Sequence, residues 1–198
     1  MTKPKIYFRA DGNSKIGLGH VSRCLALHSM LKEIFDGFFM IKDPSSNVID
    51  LIISEDCEIV EIKANSINDE LRFLFNKIIT SSSIVVVDGY TFDESYYNSI
   101  KTNGHKLVII DDFCKLKFNA DLIINHAEGV TPKDYDGIKS HFLLGIKYAL
   151  LKKEFRIASQ FTNQADNNNL FLCFGGADPN NIITGILNQI RVLQRKVS

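Results

Sequence analysis

His20 and Arg23 follow two glycines in the stretch Lys5 to Arg23, which reads Lys-Ile-Tyr-Phe-Arg-Ala-Asp-Gly-Asn-Ser-Lys-Ile-Gly-Leu-Gly-His-Val-Ser-Arg. An imidazole titrating near neutrality can serve as a general base. Gly17 and Gly19 let a ligand come close to the backbone, and a helix beginning near Gly19 offers free N–H groups and partial positive charge. The combination suits a phosphate-bearing or otherwise anionic substrate. The alternative that needs no ligand is a glycine turn between a first strand and a first helix, with His20 solvated in the first turn. Neither standard phosphate motif is present: the third glycine of Gly-x-Gly-x-x-Gly is Ser22 here, and the terminal Gly-Lys-Ser/Thr of the P-loop is missing.

The elements that must position these residues can be read from hydrophobic periodicity. Ile6, Tyr7 and Phe8 form a β-prone run that the Asp11-Gly12-Asn13-Ser14 cluster breaks. Val21, Cys24, Leu25, Leu27, Leu31 and Ile34 recur at helical spacing. Further strands are expected over 37–41, 58–62, 84–87, 106–110, 121–124 and 141–145. Helices are expected over 44–54, after Ser66, over 93–101, in a short turn at Thr131-Pro132-Lys133-Asp134-Tyr135, and over 152–161. Ser66 is the expected N-cap of its helix, with acid in the first turn and an inward face of Leu71, Leu74, Phe75, Ile78 and Ile79. Ile84 to Val87 is a continuous β-branched run, as in a parallel strand covered on both faces.

Strands alternating with helices through short connections predict a doubly wound α/β sheet. In such sheets ligands bind beyond the carboxyl ends of the strands. Asp11, Asp88, Tyr90, Asp111, Asp112 and Asn125 all fall at those ends. Each alone could simply cap a turn; jointly they predict a cleft.

Composition narrows the classes. Lys plus Arg equals Asp plus Glu at 23 each in 198 residues, so no basic surplus argues for nucleic acid. Cys24, Cys57, Cys114 and Cys173 are far apart and are expected to be reduced core thiols. With no signal-peptide pattern and no apolar run of membrane-spanning length, a cytoplasmic protein without membrane association is expected.

From Thr162 to Asn169 the composition turns polar and Asn-rich, which predicts a linker. Residues 1–161 then form one Rossmann-type domain. After the linker, Leu170 to Phe174 reads as a strand, Gly175-Gly176-Ala177-Asp178-Pro179 as a glycine turn, and Ile182 to Leu193 as a helix, so 170–198 would begin a second Rossmann-type domain. One strand and one helix make no independent sheet. Either they pack on the first domain or the chain is a fragment, and the fragment reading is favoured. An apolar helix face deprived of its second-domain partners would then promote self-association.

Phe8-Arg9-Ala10-Asp11, Ile16-Gly17-Leu18-Gly19-His20 and Arg23 resemble the opening of the UDP-sugar hydrolases of pseudaminic acid biosynthesis and the related spore-coat polysaccharide proteins. The resemblance continues in order through Val87-Asp88-Gly89-Tyr90, Ile110-Asp111-Asp112, Asp121-Leu122-Ile123-Ile124-Asn125, Asp134-Tyr135, Leu144-Gly145-Ile146-Lys147-Tyr148-Ala149-Leu150, Glu154-Phe155 and Phe174-Gly175-Gly176-Ala177-Asp178. It implies a GT-B-like architecture of two Rossmann-type domains facing across a cleft. The implied reaction passes the sugar of a UDP-linked diacetamido-trideoxy-hexose to water, with His20 activating the water and no metal or redox cofactor. Arg9, Asp11, Gly17, Gly19, Arg23, Tyr90 and Asn125 are the expected substrate-binding residues, and Gly175, Gly176 and Asp178 the expected nucleotide-binding ones. This sequence departs from the pattern at Gly89, where the pseudaminic enzymes carry a bulkier residue, and in ending soon after the second domain's first helix. Two further functions remain open: a GT-B glycosyltransferase with a sugar acceptor, and a non-catalytic nucleotide-sugar-binding module.

Overall fold

The computed structural model describes residues 3–13, 16–79, 82–115, 117–158, 170, 172, 178 and 180–197. Seven strands run parallel in the order β3-β2-β1-β4-β5-β6-β7. They are β1 (Lys5–Ala10), β2 (Asp36–Lys42), β3 (Glu58–Ile62), β4 (Ile84–Asp88), β5 (Lys106–Ile110), β6 (Leu122–Asn125) and β7 (His141–Leu144). Between them lie α1 (Gly19–Leu31), α2 (Ser46–Ser54), α3 (Ile67–Phe73) and α4 (Glu94–Thr102), followed after β7 by α5 (Lys153–Ala158) and α6 (Ile182–Val197). This is a Rossmann-type doubly wound α/β sheet, compatible with a GT-B-like fold. The strand order reverses between β1 and β4, which pair directly, Arg9 opposite Val87 and Ala10 opposite Asp88. The carboxyl ends of those two strands therefore flank the crevice where such sheets bind ligands.

Side-chain alternation along β1 builds two cores. Ile6, Phe8 and Ala10 pack with Val21, Cys24 and Leu25 of α1 and with Val48 and Ile52 of α2. Tyr7 faces the other way, into a cluster with Leu71 and Leu74 below α3 and Tyr96, Tyr97 and Ile100 of α4. By the same alternation Arg9 falls on the α3/α4 face. A charge has thus been placed where the pattern calls for an apolar residue.

Ser66 caps α3, its hydroxyl accepting the Asp69 N–H at 3.1 Å. The helix does not continue through Ile79 as its periodicity suggested, because Leu74–Ile78 forms a π-helical turn, closed by the Ile79 N–H on the Leu74 carbonyl. Ile34 also departs from expectation: α1 ends at Leu31 and Ile34 is exposed, outside the apolar face. Cys24 and Cys57 are buried free thiols, whereas Cys114 is only half-buried. Cys173, the 162–169 linker, Gly175, Gly176 and most of the expected strand 170–174 lie outside the described residues. No helix among the described residues is long and apolar enough to cross a membrane.

Candidate functional site

The turn between β1 and α1 is shaped by glycines in unlike ways. Gly17 has φ +84, a left-handed conformation that side chains resist, and its N–H closes the loop on the Asn13 carbonyl at 2.8 Å. Gly19 opens α1, and a Cβ added there would meet nothing within 4 Å. Gly12 is the sterically tight one: an added Cβ would lie 2.5 Å from Cγ2 of buried Val21. The absence of that carbon lets the first turn of α1 sit against the end of β1. No side chain caps the turn, since Leu18 occupies the N-cap. Its leading N–H groups thus have no side-chain acceptor of their own and are available to solvent or an anion.

His20 stands in this first turn at 6% exposure, its Nδ1 2.7 Å from Oδ1 of Asp88. Asp88 ends β4 and is fully buried. Arg23 Nη2 also lies 3.0 Å from Nδ1, but the shorter contact is to a carboxylate oxygen, which only accepts, so we assign the proton to Nδ1. The Nε2 lone pair is left as the basic position. Arg23, one turn further along α1, grips the same carboxylate with Nε at 3.0 Å from Oδ2 and Nη2 at 2.7 Å from Oδ1. Its Nη1 donates to Oδ1 of Asp112 in the loop after β5. Burial alone would lower the Arg23 pKa, but the hydrogen bonds and charges of Asp112 and Asp88 outweigh it and hold the guanidinium above its ordinary value. Asp112 accepts in turn from the Tyr90 hydroxyl at 2.7 Å. Burial pushes the Asp112 carboxyl up, yet Arg23 and Tyr90 prevail and leave it below the usual carboxylate range. The Tyr90 ring closes the circuit by meeting His20 edge-on, centroids 4.6 Å apart.

Arg9 and Asp11 form a second network beneath the first. Arg9, 2% exposed, gives Nε to Oε1 of Glu70 at 2.7 Å and Nη2 to Oε2 at 3.2 Å, while Nη1 and Nη2 bind the two oxygens of Asp11. Tyr96 donates to Glu70 at 2.7 Å, and the Phe92 ring lies 4.9 Å from the guanidinium carbon. Burial works against this cation, and the Glu70 and Asp11 carboxylates more than offset it, raising its pKa. Asp11 also accepts the Lys42 N–H at 3.0 Å, tying the ends of β1 and β2. Arg9 is enclosed by protein groups, whereas Asp11 is half-buried.

Asn125 is also enclosed, its amide donating to the Tyr135 hydroxyl at 2.9 Å and to Cys114 Sγ at 3.4 Å while its carbonyl accepts from Ala127. Tyr135 passes the connection to Asp111 at 2.7 Å. The geometry makes Asn125 the pin of the loops after β5 and β6. Asp178 accepts the Ile182 and Ile183 N–H groups at 2.9 and 3.1 Å, capping α6. Among the described residues no group of three or more His, Cys, Asp or Glu could hold a metal.

The structure thus brings His20, Arg23 and Tyr90 together, leaves Asp11 bound to Arg9 and the end of β2, and adds Asp88 and Asp112, which the sequence marked only as acids at strand ends. Glu70 and Tyr96 carried no signal beyond helix-start and apolar patterning. No family model matches the chain. It is 26% identical over 191 residues to the UDP-2,4-diacetamido-2,4,6-trideoxy-beta-L-altropyranose hydrolase of Campylobacter jejuni subsp. jejuni serotype O:2, covering 94% of this chain and 65% of that protein. It is 26% identical over 198 residues to an uncharacterised protein of Methanocaldococcus jannaschii, covering 94% of this chain and 40% of that one. The chain spans less than two thirds of the length of either relative. The likeness to the hydrolase extends along nearly the whole chain, so the loop carrying His20 and the strand ends carrying Asp88 and Asp112 belong to a chain similar throughout to a protein that acts on a nucleotide sugar.

Proposed function

We propose that this chain carries the water-activating half of a UDP-sugar hydrolase site, releasing UDP and a free diacetamido-trideoxy-hexose. The observation that carries the reading is the 2.7 Å His20–Asp88 pair at the β1/β4 switch point, beside the uncapped start of α1. His20 Nε2 takes a proton from water as the water oxygen bonds to the anomeric carbon. The anomeric C–O bond breaks with its electron pair leaving on the UDP β-phosphate. Asp88 holds the ring in the useful tautomer and stabilises the imidazolium that forms. Arg23 holds the Asp88 carboxylate in place through two hydrogen bonds, Tyr90 flanks the ring, and Gly17 and Gly19 admit the diphosphate toward the first-turn N–H groups. Residues 1–161 form the first domain in this reading and 170–198 begin a second, entered through Gly175, Gly176 and Asp178, with the uridine held across the cleft.

The test is UDP release from a UDP-diacetamido-trideoxy-hexose by this chain and its His20→Asn variant, with the sugar product followed by mass. Release of free sugar that disappears in the variant supports the hydrolase. Release that requires a sugar acceptor would instead make it a glycosyltransferase. No release in any arm from the folded protein would reduce it to a binding module.

A further inference from the structure

Tyr90 contributes to two places at once. Its ring meets His20, and it also lines a cavity of about 540 Å³ between the loop after β4, the start of α4 and the loop after β5. Three further aromatic rings line that cavity: Phe92, Phe113 and Tyr97. Phe113 is 58% exposed and packs on Tyr90 with centroids 5.0 Å apart, so two large rings stand partly bare on the rim next to the catalytic histidine. Phe92 is fixed from behind. It lies against the Arg9 guanidinium and the Tyr96 ring, and a Cβ on residue 89 would come within 2.8 Å of it. Gly89 is what allows that ring to form the wall.

The polar lining is equally specific. Tyr97 is 6% exposed, yet its hydroxyl makes no hydrogen bond to any described residue. The hydroxyl oxygen is not itself sealed from solvent, so it is free to donate to water or a ligand at the cavity wall. Burial, reinforced by Asp111, pushes its pKa up to about 12, so it remains a donor throughout the neutral range. Asp111 also lines the cavity; its Oδ2 is taken by Tyr135 and the Cys114 N–H, but Oδ1 receives only a 3.4 Å contact from the Phe113 N–H. Beside its aromatic walls the cavity therefore offers a hydroxyl donor at Tyr97 and a carboxylate acceptor at Asp111. Asp93 and Glu94 join Asp111 there against Lys115 and Lys117, so the lining carries three acids and two bases, and a phosphate would be unwelcome.

We infer that this cavity is the subsite for an N-acetyl group of the sugar: the acetyl methyl on Phe92 and Phe113, the amide carbonyl accepting from Tyr97, the amide N–H facing Asp111. The inference rests on the proposed hydrolase reading for the sugar's attachment to UDP, but its chemistry is that of an acetamido-pyranose in any reaction. It makes Gly89, Phe113 and Tyr97 the residues that select N-acetylated sugars over plain hexoses.

The direct test is saturation-transfer NMR on the full 198-residue chain. The probe is free 2,4-diacetamido-2,4,6-trideoxyhexose, compared with a 6-deoxyhexose that lacks both acetamido groups. Tyr97→Phe keeps the ring, and Phe113→Ser alters an exposed side chain, so both variants should retain the urea midpoint of the parent. The acetyl methyl should receive the strongest saturation, each substitution should weaken the probe's affinity about tenfold, and the 6-deoxyhexose should bind no better than the variants bind the probe. An unbound probe, equal binding of both sugars, or an acetyl signal indifferent to both substitutions would overturn the inference. A parallel UDP-release assay separates the two readings. Turnover with KM unmoved by Phe113→Ser would remove the subsite and leave the hydrolase. Probe binding lost in the variants, with no turnover in the parent, would remove the hydrolase and leave the subsite.

Discussion

Oδ1 of Asp88 lies 2.7 Å from His20 Nδ1 and equally 2.7 Å from Arg23 Nη2, so one oxygen atom orients the imidazole and is itself held by a guanidinium. Replacing the carboxylate by an amide keeps the shape and changes the donor. In Asp88→Asn the amide N–H₂ can donate to Nδ1, forcing the proton onto Nε2 and removing the base. UDP release should fall on the order of a thousandfold or more, as when a catalytic histidine is left in its wrong tautomer. Rates with the folded variant, its near-ultraviolet circular dichroism matching the parent, would check this. A fall of less than tenfold would mean that the pair does not set the tautomer.

Arg9→Met tests the lower network. It leaves Glu70 buried with only Tyr96 for a partner, and breaking such a pair by removing one member is expected to destabilise by about 3–5 kcal/mol. The double variant Arg9→Met, Glu70→Gln should recover much of that loss. Urea unfolding followed by fluorescence or circular dichroism measures both. Equal stability of the single and double variants would show that the ions are not coupled.

Gly12→Ala probes how the loop is seated. The new methyl must displace Val21, a β-branched residue with no room to move, and overpacking of this kind is expected to destabilise by about 1–3 kcal/mol. Because Val21 is next to His20, activity should fall further than the same destabilisation imposed elsewhere. Gly19→Ala, with open space around it, should be far milder in the same denaturation series.

Acid stability should show the mark of Asp121. Burial raises its pKa, but Lys101, Lys106 and the Leu107 N–H overcome that and lower it to about 2. A carboxyl whose folded pKa lies below its unfolded value contributes stability above the unfolded pKa and loses it as pH falls toward the folded one. The loss should therefore fall between about pH 4 and pH 2. Asp121→Asn should be less stable at neutral pH and flatter through that window, as read from urea midpoints at several pH values. A variant with the parent's full acid slope would contradict the assignment.

The sheet was legible because its strands are continuous apolar runs ending in polar residues; Ile84 to Val87 and Lys106 to Ile110 leave little choice of structure. The π-turn after α3 was not, since Leu74, Phe75 and Ile78 keep an apolar pattern that a regular helix would also satisfy. In the site, His20 and Arg23 stood out through their glycines and spacing. Glu70 did not, because an acid in a helix's first turn is ordinarily a complement to its dipole, and nothing local reveals a partner 61 residues away. At Arg9 and Asn125 the hydrogen bonds to Glu70, Asp11, Tyr135 and Cys114 could not be read from the sequence. Polar residues at strand ends look like ligand contacts, and only the packing around them shows that other side chains have already claimed them.

The Arg9–Glu70–Tyr96 clasp also bears on how the chain comes to be folded as it is made. β1 lies in the middle of the sheet, between β2 and β4, and Arg9 has no carboxylate for its Nε until Glu70, 61 residues later, has been added. Until then Asp11 alone faces the guanidinium, and closing the sheet would bury its Nε without a partner. A nascent chain halted before Glu70 should thus leave β1 open to protease, and one extended past Ile110 should protect it. A central strand thus waits for residues made much later, and the loop that bears His20 waits with it.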